Sequence, residues 1–64
     1  MRIDRVKLVS ELTKKDMTQK HLAEIVGVSR VTINNVKCGR ACSDKVGQKI
    51  AQALGIDVTE IIED

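Results

Sequence analysis

The segment QKHLAEIVGVSRVTINNVKCG, residues 19–39, decides how this chain of 64 residues folds. Apolar residues recur in it at helical spacing on both sides of the tripeptide Gly27-Val28-Ser29. Gly27 can adopt the positive φ that a tight turn requires, and the small Ala23 lets two elements approach closely. The segment therefore predicts two short helices that cross at a glycine-containing turn and bury Leu22, Val26, Val28, Ile33 and Val36.

A repeated start pattern predicts the other helices. It consists of an apolar residue, a side chain that can cap a helix, and a second apolar residue four positions after the cap. The pattern occurs at Ile3-Asp4…Leu8, Met17-Thr18…Leu22, Val28-Ser29…Ile33 and Ile56-Asp57…Ile61, where Glu60 completes a capping box. A further helix opens at Ser43 or Asp44 and ends at Gly55. We predict helices over about residues 4–15, 18–26, 29–37, 43–54 and from residue 58 to the end. The first of these helices places Arg5, Leu8, Val9 and Leu12 on one stripe at helical spacing.

The fold class that follows is all-α, a compact four- to five-helix bundle, and it forms one domain over residues 1–64 without strands. Hydrophobic residues make up 42% of the chain, which excludes a disordered protein. A chain this short buries only about 60% of its unfolded surface, so it has one modest core and no deep substrate cleft. One histidine and no glycine-rich phosphate loop argue against an enzyme. Proteins that stack single-stranded bases use aromatic rings, and this sequence has none.

Charge is distributed unevenly along the chain. Eleven Lys and Arg stand against nine Asp and Glu, a net charge of +2. All eleven cations and five of the acids lie in residues 1–49, which carry +6, while residues 50–64 hold four acids and carry −4. Residues 25–43 contain no acid. The pattern indicates one side that faces a polyanion and an acidic end turned away from it.

The cysteines and the hydropathy pattern predict the cellular setting. Cys38, Cys42 and His21 are one ligand short of a zinc site, so we expect no metal and no cofactor. We expect the cysteines to be reduced and to pack as small apolar residues, with a thiol switch between them as a minor alternative. No segment approaches the ~20 apolar residues of a membrane span, so we predict a cytoplasmic protein that does not bind a membrane.

The predicted helix over residues 29–37 carries the chemistry. With Ile33 and Val36 turned inward, its outward residues are Arg30, Val31, Thr32, Asn34, Asn35 and Lys37. Asn can form two hydrogen bonds with adenine in the DNA major groove, Arg can do the same with guanine, and Val and Thr methyl groups can contact thymine. An ordinary polar surface is the alternative, although Asn is a mediocre helix former.

The runs MTQKHLAEIVGVSRVTINNVKCGR and KIAQALGIDVTEII resemble the lambda-repressor-like (Cro/CI, XRE) helix-turn-helix family over nearly the whole chain. The resemblance implies a five-helix domain of bacterial or phage type that binds double-stranded DNA and regulates transcription, often as a homodimer. It implies base contacts by Arg30, Val31 and Asn35, with Thr32 and Asn34 as neighbours. It implies phosphate contacts by Gln19, Lys20, Lys37, Arg40 and Ser43.

Two functions remain open from the sequence. We expect a repressor that reads a palindromic operator as a homodimer, with the acidic and apolar end (Ile56, Val58, Ile61, Ile62) as the dimer surface. For Ile61 the alternative is packing in the core. The second function is an antitoxin or a protein-interaction module of the same fold, with a toxin or a co-regulator as its partner. A module of that kind should expose apolar residues on the helix over residues 29–37, where this sequence has mostly polar ones.

Overall fold

Four α-helices and one 3₁₀ helix follow one another in the computed structural model, which describes residues 1–63. The α-helices are α1 (Arg5–Lys14), α2 (Gln19–Val26), α3 (Arg30–Lys37) and α4 (Asp44–Leu54), and the 3₁₀ helix is Val58–Glu60. Helix α2 packs against α3 and α4, α1 packs against α3, and the 3₁₀ helix packs against α4. The all-α fold class is confirmed, and the helices begin and end within one or two residues of the predicted positions in α1 to α4.

Each helix begins at the side chain that the sequence predicts as its cap. The caps are Asp4, which accepts a hydrogen bond from the Lys7 N–H (3.0 Å), Thr18 from His21 (3.1 Å), Ser29 from Thr32 (3.2 Å), Ser43 from Val46 (3.2 Å) and Asp57 from Thr59 (2.9 Å). The capping box is present as well, because the Glu60 carboxylate accepts from the Asp57 N–H at 3.0 Å. These caps satisfy N–H groups that a helix start leaves without an intrahelical partner.

The apolar residue four positions after each patterned cap enters the core. Leu8, Leu22, Ile33 and Ile61 are all completely buried. The other buried apolar residues are Ile3, Leu12, Ala23, Val26, Val36, Ile50, Ala51 and Leu54. Gly27 (φ +84°) and Gly55 (φ +70°) end α2 and α4 in the left-handed conformation, as predicted. One core therefore joins all the helices.

The C-terminal helix is shorter than predicted. The sequence predicts a helix from residue 58 to the end, whereas the structure has only the single turn Val58–Glu60. After that turn the chain extends, and Ile62 forms an isolated antiparallel bridge with Ile3, a single pairing outside any strand. The Glu63 N–H donates to the carbonyl of Arg2 (2.9 Å) instead of continuing a helix. The prediction for Asp64 lies outside the described residues.

Two further expectations are corrected. Val9, predicted on the buried stripe of α1 with Leu8 and Leu12, is 38% exposed. The cysteines do not both pack in the interior, since Cys38 is exposed and only Cys42 is half-buried. Among the described residues, no helix has both the length and the apolar character that crossing a bilayer demands.

Candidate nucleic-acid interface

Helices α2 and α3 are joined by a short turn that backbone hydrogen bonds close. The N–H groups of Gly27 and Val28 both donate to the carbonyl of Ala23 (2.9 and 3.1 Å), which closes α2. Ser29, the next residue, caps the start of α3. Because Ala23 is itself buried, its carbonyl and its methyl group hold the turn and the helix crossing together. The direction in which α3 leaves the turn is therefore fixed.

The side of α3 opposite the core is open to solvent. Ile33 and Val36 are buried, whereas Arg30 and Asn34 are exposed and Val31 is 67% exposed. A large apolar side chain that is two-thirds exposed has no partner within the described fold to cover it. We call Arg30, Val31, Asn34 and Cys38 the outer face of α3.

The first residue of α2 lies beside this face. Gln19, Arg30, Val31 and Asn34 line one shallow depression of about 360 Å³. Gln19 is half-buried, so its position relative to α3 is well defined. The structure thus brings together four of the residues that the resemblance assigns to bases and phosphates. The depression is open, which suits a large ligand that lies across the surface.

Thr32 and Asn35, also assigned to bases, lie at the flank of α3. Both are half-buried. The Thr32 hydroxyl is 3.1 Å from the Ser29 hydroxyl, and these two groups share a hydrogen bond at the helix start. That bond engages part of the hydrogen-bonding capacity of Thr32 within the chain itself. Thr32 is therefore less open to a ligand than Asn34.

The residues assigned to phosphates lie on α2, at the end of α3 and in the loop that follows it. Lys20 is exposed on α2, and Lys37, the last residue of α3, is half-buried and lines a groove with Gln19 at the start of α2. Arg40 is exposed in the loop after α3. The Ser43 hydroxyl accepts from the Val46 N–H, so its oxygen already caps α4. A proton of that hydroxyl is still available for donation.

The structure adds one residue that the sequence did not assign. Cys38 is the C-cap of α3, and its N–H still donates to the Asn34 carbonyl (2.9 Å), so the helical register continues up to it. It stands seven positions after Val31 and four after Asn34, which places it on the same face. Cys38 is exposed. The seven-residue spacing was the signal that could have identified it.

Cys42 has a different environment from Cys38. It is half-buried in the loop before α4. Burial raises the pKa of the Cys42 thiol, and the nearby Asp44 carboxylate adds to that rise, while the Met1 amino group opposes it. A raised pKa keeps this thiol protonated and unreactive at neutral pH. Within residues 1–63, no three His, Cys, Asp or Glu side chains converge in a way that could hold a metal ion.

Comparisons with known proteins agree with this geometry. A helix-turn-helix family model matches residues 8–61. Repressor protein C of Rhizobium phage 16-3 is 43% identical over 54 residues, which are 84% of this chain and 20% of that protein. The chain thus spans about a fifth of the length of that curated relative.

Solved structures extend the comparison to the fold. The transcriptional regulator VanUg is 34% identical, with a TM-score of 0.83 over 97% of this chain and 83% of its own. Hydroxyethylphosphonate dioxygenase contains the same fold (TM-score 0.86, 20% identity) in a part that makes up 14% of its chain. At that identity the likeness to the dioxygenase concerns the fold alone. The chain belongs to the helix-turn-helix family, in its lambda-repressor-like (Cro/CI, XRE) class.

Proposed function

We propose that this domain is a repressor that reads the major groove of double-stranded DNA with the outer face of α3. The observation that carries the proposal is the exposure of Arg30, Val31 and Asn34 on one side of a helix whose other side is buried. An α-helix fits the major groove, and these residue types match the groups that guanine, thymine and adenine present there. We expect Asn35 to complete the set from the flank.

The proposed phosphate contacts lie on both sides of the groove. Gln19 and Lys20 at the start of α2 approach one edge, and Lys37, Arg40 and Ser43 approach the backbone from the end of α3 and the following loop. Contacts of this kind fix the register of the protein on the duplex and carry no sequence information. The absence of acids from residues 25–43 keeps this surface attractive to phosphate.

We propose further that two copies bind a palindromic operator. A module of this size buries roughly 600–1,000 Å² on DNA, so one copy alone binds weakly. The C-terminal segment, residues 56–63, provides the proposed dimer edge, because phosphate would repel its acids. Ile62 is half-buried there, whereas Ile61 is fully buried in the core. Ile62→Asp should therefore lower the dimer fraction in sedimentation equilibrium without unfolding the domain. An unchanged monomer–dimer equilibrium would show that this segment is not the dimer edge.

Selection from a random pool of duplex DNA tests the proposed function. The wild-type domain should enrich a palindromic motif, and Asn35→Ala should relax the preference at one base pair at a cost of about 1–3 kcal/mol. Gln52→Ala is the matched control, an exposed amide on α4 that the proposal leaves without a role. If the selection enriches no motif and binding depends steeply on salt concentration, the domain binds the DNA backbone without reading the base sequence.

One observation favours a second candidate function, a protein-interaction module. Val6 (71% exposed) and Val9 (38%) stand on α1 beside Arg5 and Lys37, where they line a groove of about 450 Å³. An apolar pair with flanking cations suits an acidic partner protein. Loss of regulation in Val6→Ser with normal operator binding would favour this function. Loss of regulation only in variants of α3 would favour the reader of DNA.

A further inference from the structure

The loop between α3 and α4, residues 38–43, is held by backbone contacts to a distant part of the chain. The Arg40 N–H still donates to the Asn35 carbonyl at 3.0 Å. Two residues later, the Cys42 N–H donates to the Met1 carbonyl, and the Met1 amino group donates to the Cys42 carbonyl, each at 2.8 Å. This reciprocal pair spans 41 positions of sequence and fixes the loop just before α4.

The N-terminal segment, residues 1–4, is bound on its other side to the C-terminal segment. Ile3 is completely buried, so the segment has its own anchor in the core. Its contacts with the C-terminal segment are the Asp4 N–H to the Ile61 carbonyl (2.7 Å), the Glu63 N–H to the Arg2 carbonyl (2.9 Å) and the bridge between Ile3 and Ile62. Residues 1–4 therefore connect the α3–α4 loop to the last part of the chain.

Gly47 provides a third anchor for the segment. It is buried inside α4, where alanine would favour the helix more than glycine does. A Cβ at this position would collide with the side chain of Met1. The Met1 side chain thus lies directly against the backbone of α4, and the glycine is explained by the space that this side chain occupies.

We propose that residues 1–3 are a positioning segment that holds the α3–α4 loop so that Arg40 and Ser43 meet the DNA backbone. The loop has no regular secondary structure after residue 39, so its path depends on the reciprocal pair with Met1. The positioning role rests on the proposed function, whereas the tether between Met1 and Cys42 does not. Because the segment also pairs with Ile62, the proposed dimer edge and the phosphate contacts share one backbone connection.

Hydrogen exchange of the wild-type domain tests the tether without any variant. The Cys42 amide should be protected to a degree similar to the Asp4 and Glu63 amides, because all three donate in the backbone hydrogen bonds that join residues 1–4 to the α3–α4 loop and to the C-terminal segment. A Cys42 amide that exchanges as fast as the amide of the exposed Ala41 would overturn the tether.

Gly47→Ala tests the positioning role. The added methyl group displaces the Met1 side chain while the helix propensity of α4 rises. We expect the Cys42 amide to exchange about tenfold faster. We expect DNA affinity to fall about three- to tenfold and the salt slope to fall by about one. Gln52→Ala, an exposed change on the same helix, should alter neither quantity.

The outcomes separate the two claims. Faster Cys42 exchange together with weaker DNA binding supports the positioning segment. Faster exchange with unchanged affinity and salt slope overturns the positioning role. Unchanged exchange in Gly47→Ala overturns Gly47 as an anchor of the segment, whereas the tether is overturned by a wild-type Cys42 amide that exchanges as fast as that of Ala41. If the wild-type domain binds no DNA while Gly47→Ala still accelerates Cys42 exchange, the proposed function and its positioning role fail and the tether stands.

Discussion

The outer face of α3 and the C-terminal segment use their polar groups in opposite ways. On the outer face, Arg30 and Asn34 are exposed and no acid lies nearby in sequence. In the C-terminal segment, Asp57 and Glu60 bond to backbone N–H groups of their own turn, and the chain then pairs with residues 1–4. One surface keeps its polar groups available for a ligand, and the other satisfies them internally.

The two parts of the chain that contain these regions have opposite net charge. Residues 1–49 carry +6 and residues 50–64 carry −4, and the outer face of α3 belongs to the positive part. A polyanion is attracted to the first part and repelled by the second. The fold therefore separates the proposed binding surface on α3 from an edge that completes the core.

The largest expected effect comes from a matched pair on α3. Ile33→Ala removes a completely buried side chain and should cost about 2–5 kcal/mol, a large part of the stability of a domain this small. Val31→Ala changes a residue that is 67% exposed and should alter stability by about 0.5 kcal/mol or less. Urea unfolding measures the first effect, and DNA affinity should respond to both changes. A stability loss of similar size in Val31→Ala would show that the outer face is covered.

A second pair compares the same kind of cap in the two regions. Ser29→Ala removes the cap of α3 and should cost about 1 kcal/mol, with weaker DNA binding because the helix start frays. Asp57→Ala removes the cap of the single 3₁₀ turn and should lower the melting temperature, but it should weaken DNA binding less than Ser29→Ala does, because it acts only through the proposed dimer edge. Thermal unfolding and fluorescence anisotropy measure the two quantities. Equal losses of affinity in both variants would contradict the division between the regions.

A smaller effect distinguishes the two cysteines. Iodoacetamide should alkylate the exposed Cys38 about tenfold faster than Cys42, because Cys42 is half-buried and its pKa is raised. DNA should protect Cys38 and leave the rate at Cys42 unchanged. Mass spectrometry of the labelled peptides measures both rates, with Cys38→Ser as the control. If Cys38 is alkylated equally fast in the presence and absence of DNA, Cys38 does not belong to the face that DNA covers.

The smallest expected effect is a pH dependence of the C-terminal segment. Hydrogen bonds from the Thr59 N–H and hydroxyl lower the pKa of Asp57 below its ordinary value. A lowered pKa in the folded state stabilises the fold above the unfolded pKa, and this contribution disappears as pH falls below about 4. Wild-type stability should therefore decrease slightly more than that of Asp57→Asn between neutral and acidic pH. Parallel curves from urea unfolding would show that the cap is not linked to protonation.

Local signals explain why so much of the fold could be predicted. A cap and an apolar residue four positions later are close in sequence, so the starts at Asp4, Thr18, Ser29 and Asp57 were found from composition and spacing alone. The register of α3 follows from the same spacing. The outward positions of Arg30 and Asn34 could therefore be predicted as well.

Long-range contacts explain what could not be predicted. The last helix stops after one turn because the following residues pair with residues 2–4, about 60 positions away, and no local pattern indicates that pairing. The exposure of Val9 and Cys38 depends on which elements pack beside them. Contacts of the site residues with DNA stay a prediction.

Whether α3 reads the DNA is tested most directly by comparing the DNA affinities of two charge-reversal variants, Arg30→Glu and Lys49→Glu. Both residues are exposed on helices and both variants change the net charge equally, but only Arg30 lies on the outer face of α3. We predict that Arg30→Glu weakens operator binding about 100-fold and Lys49→Glu only about threefold, because a base contact adds to the general attraction. Equal losses in the two variants would show that charge alone holds the DNA, and the assignment of α3 as the reader would be wrong.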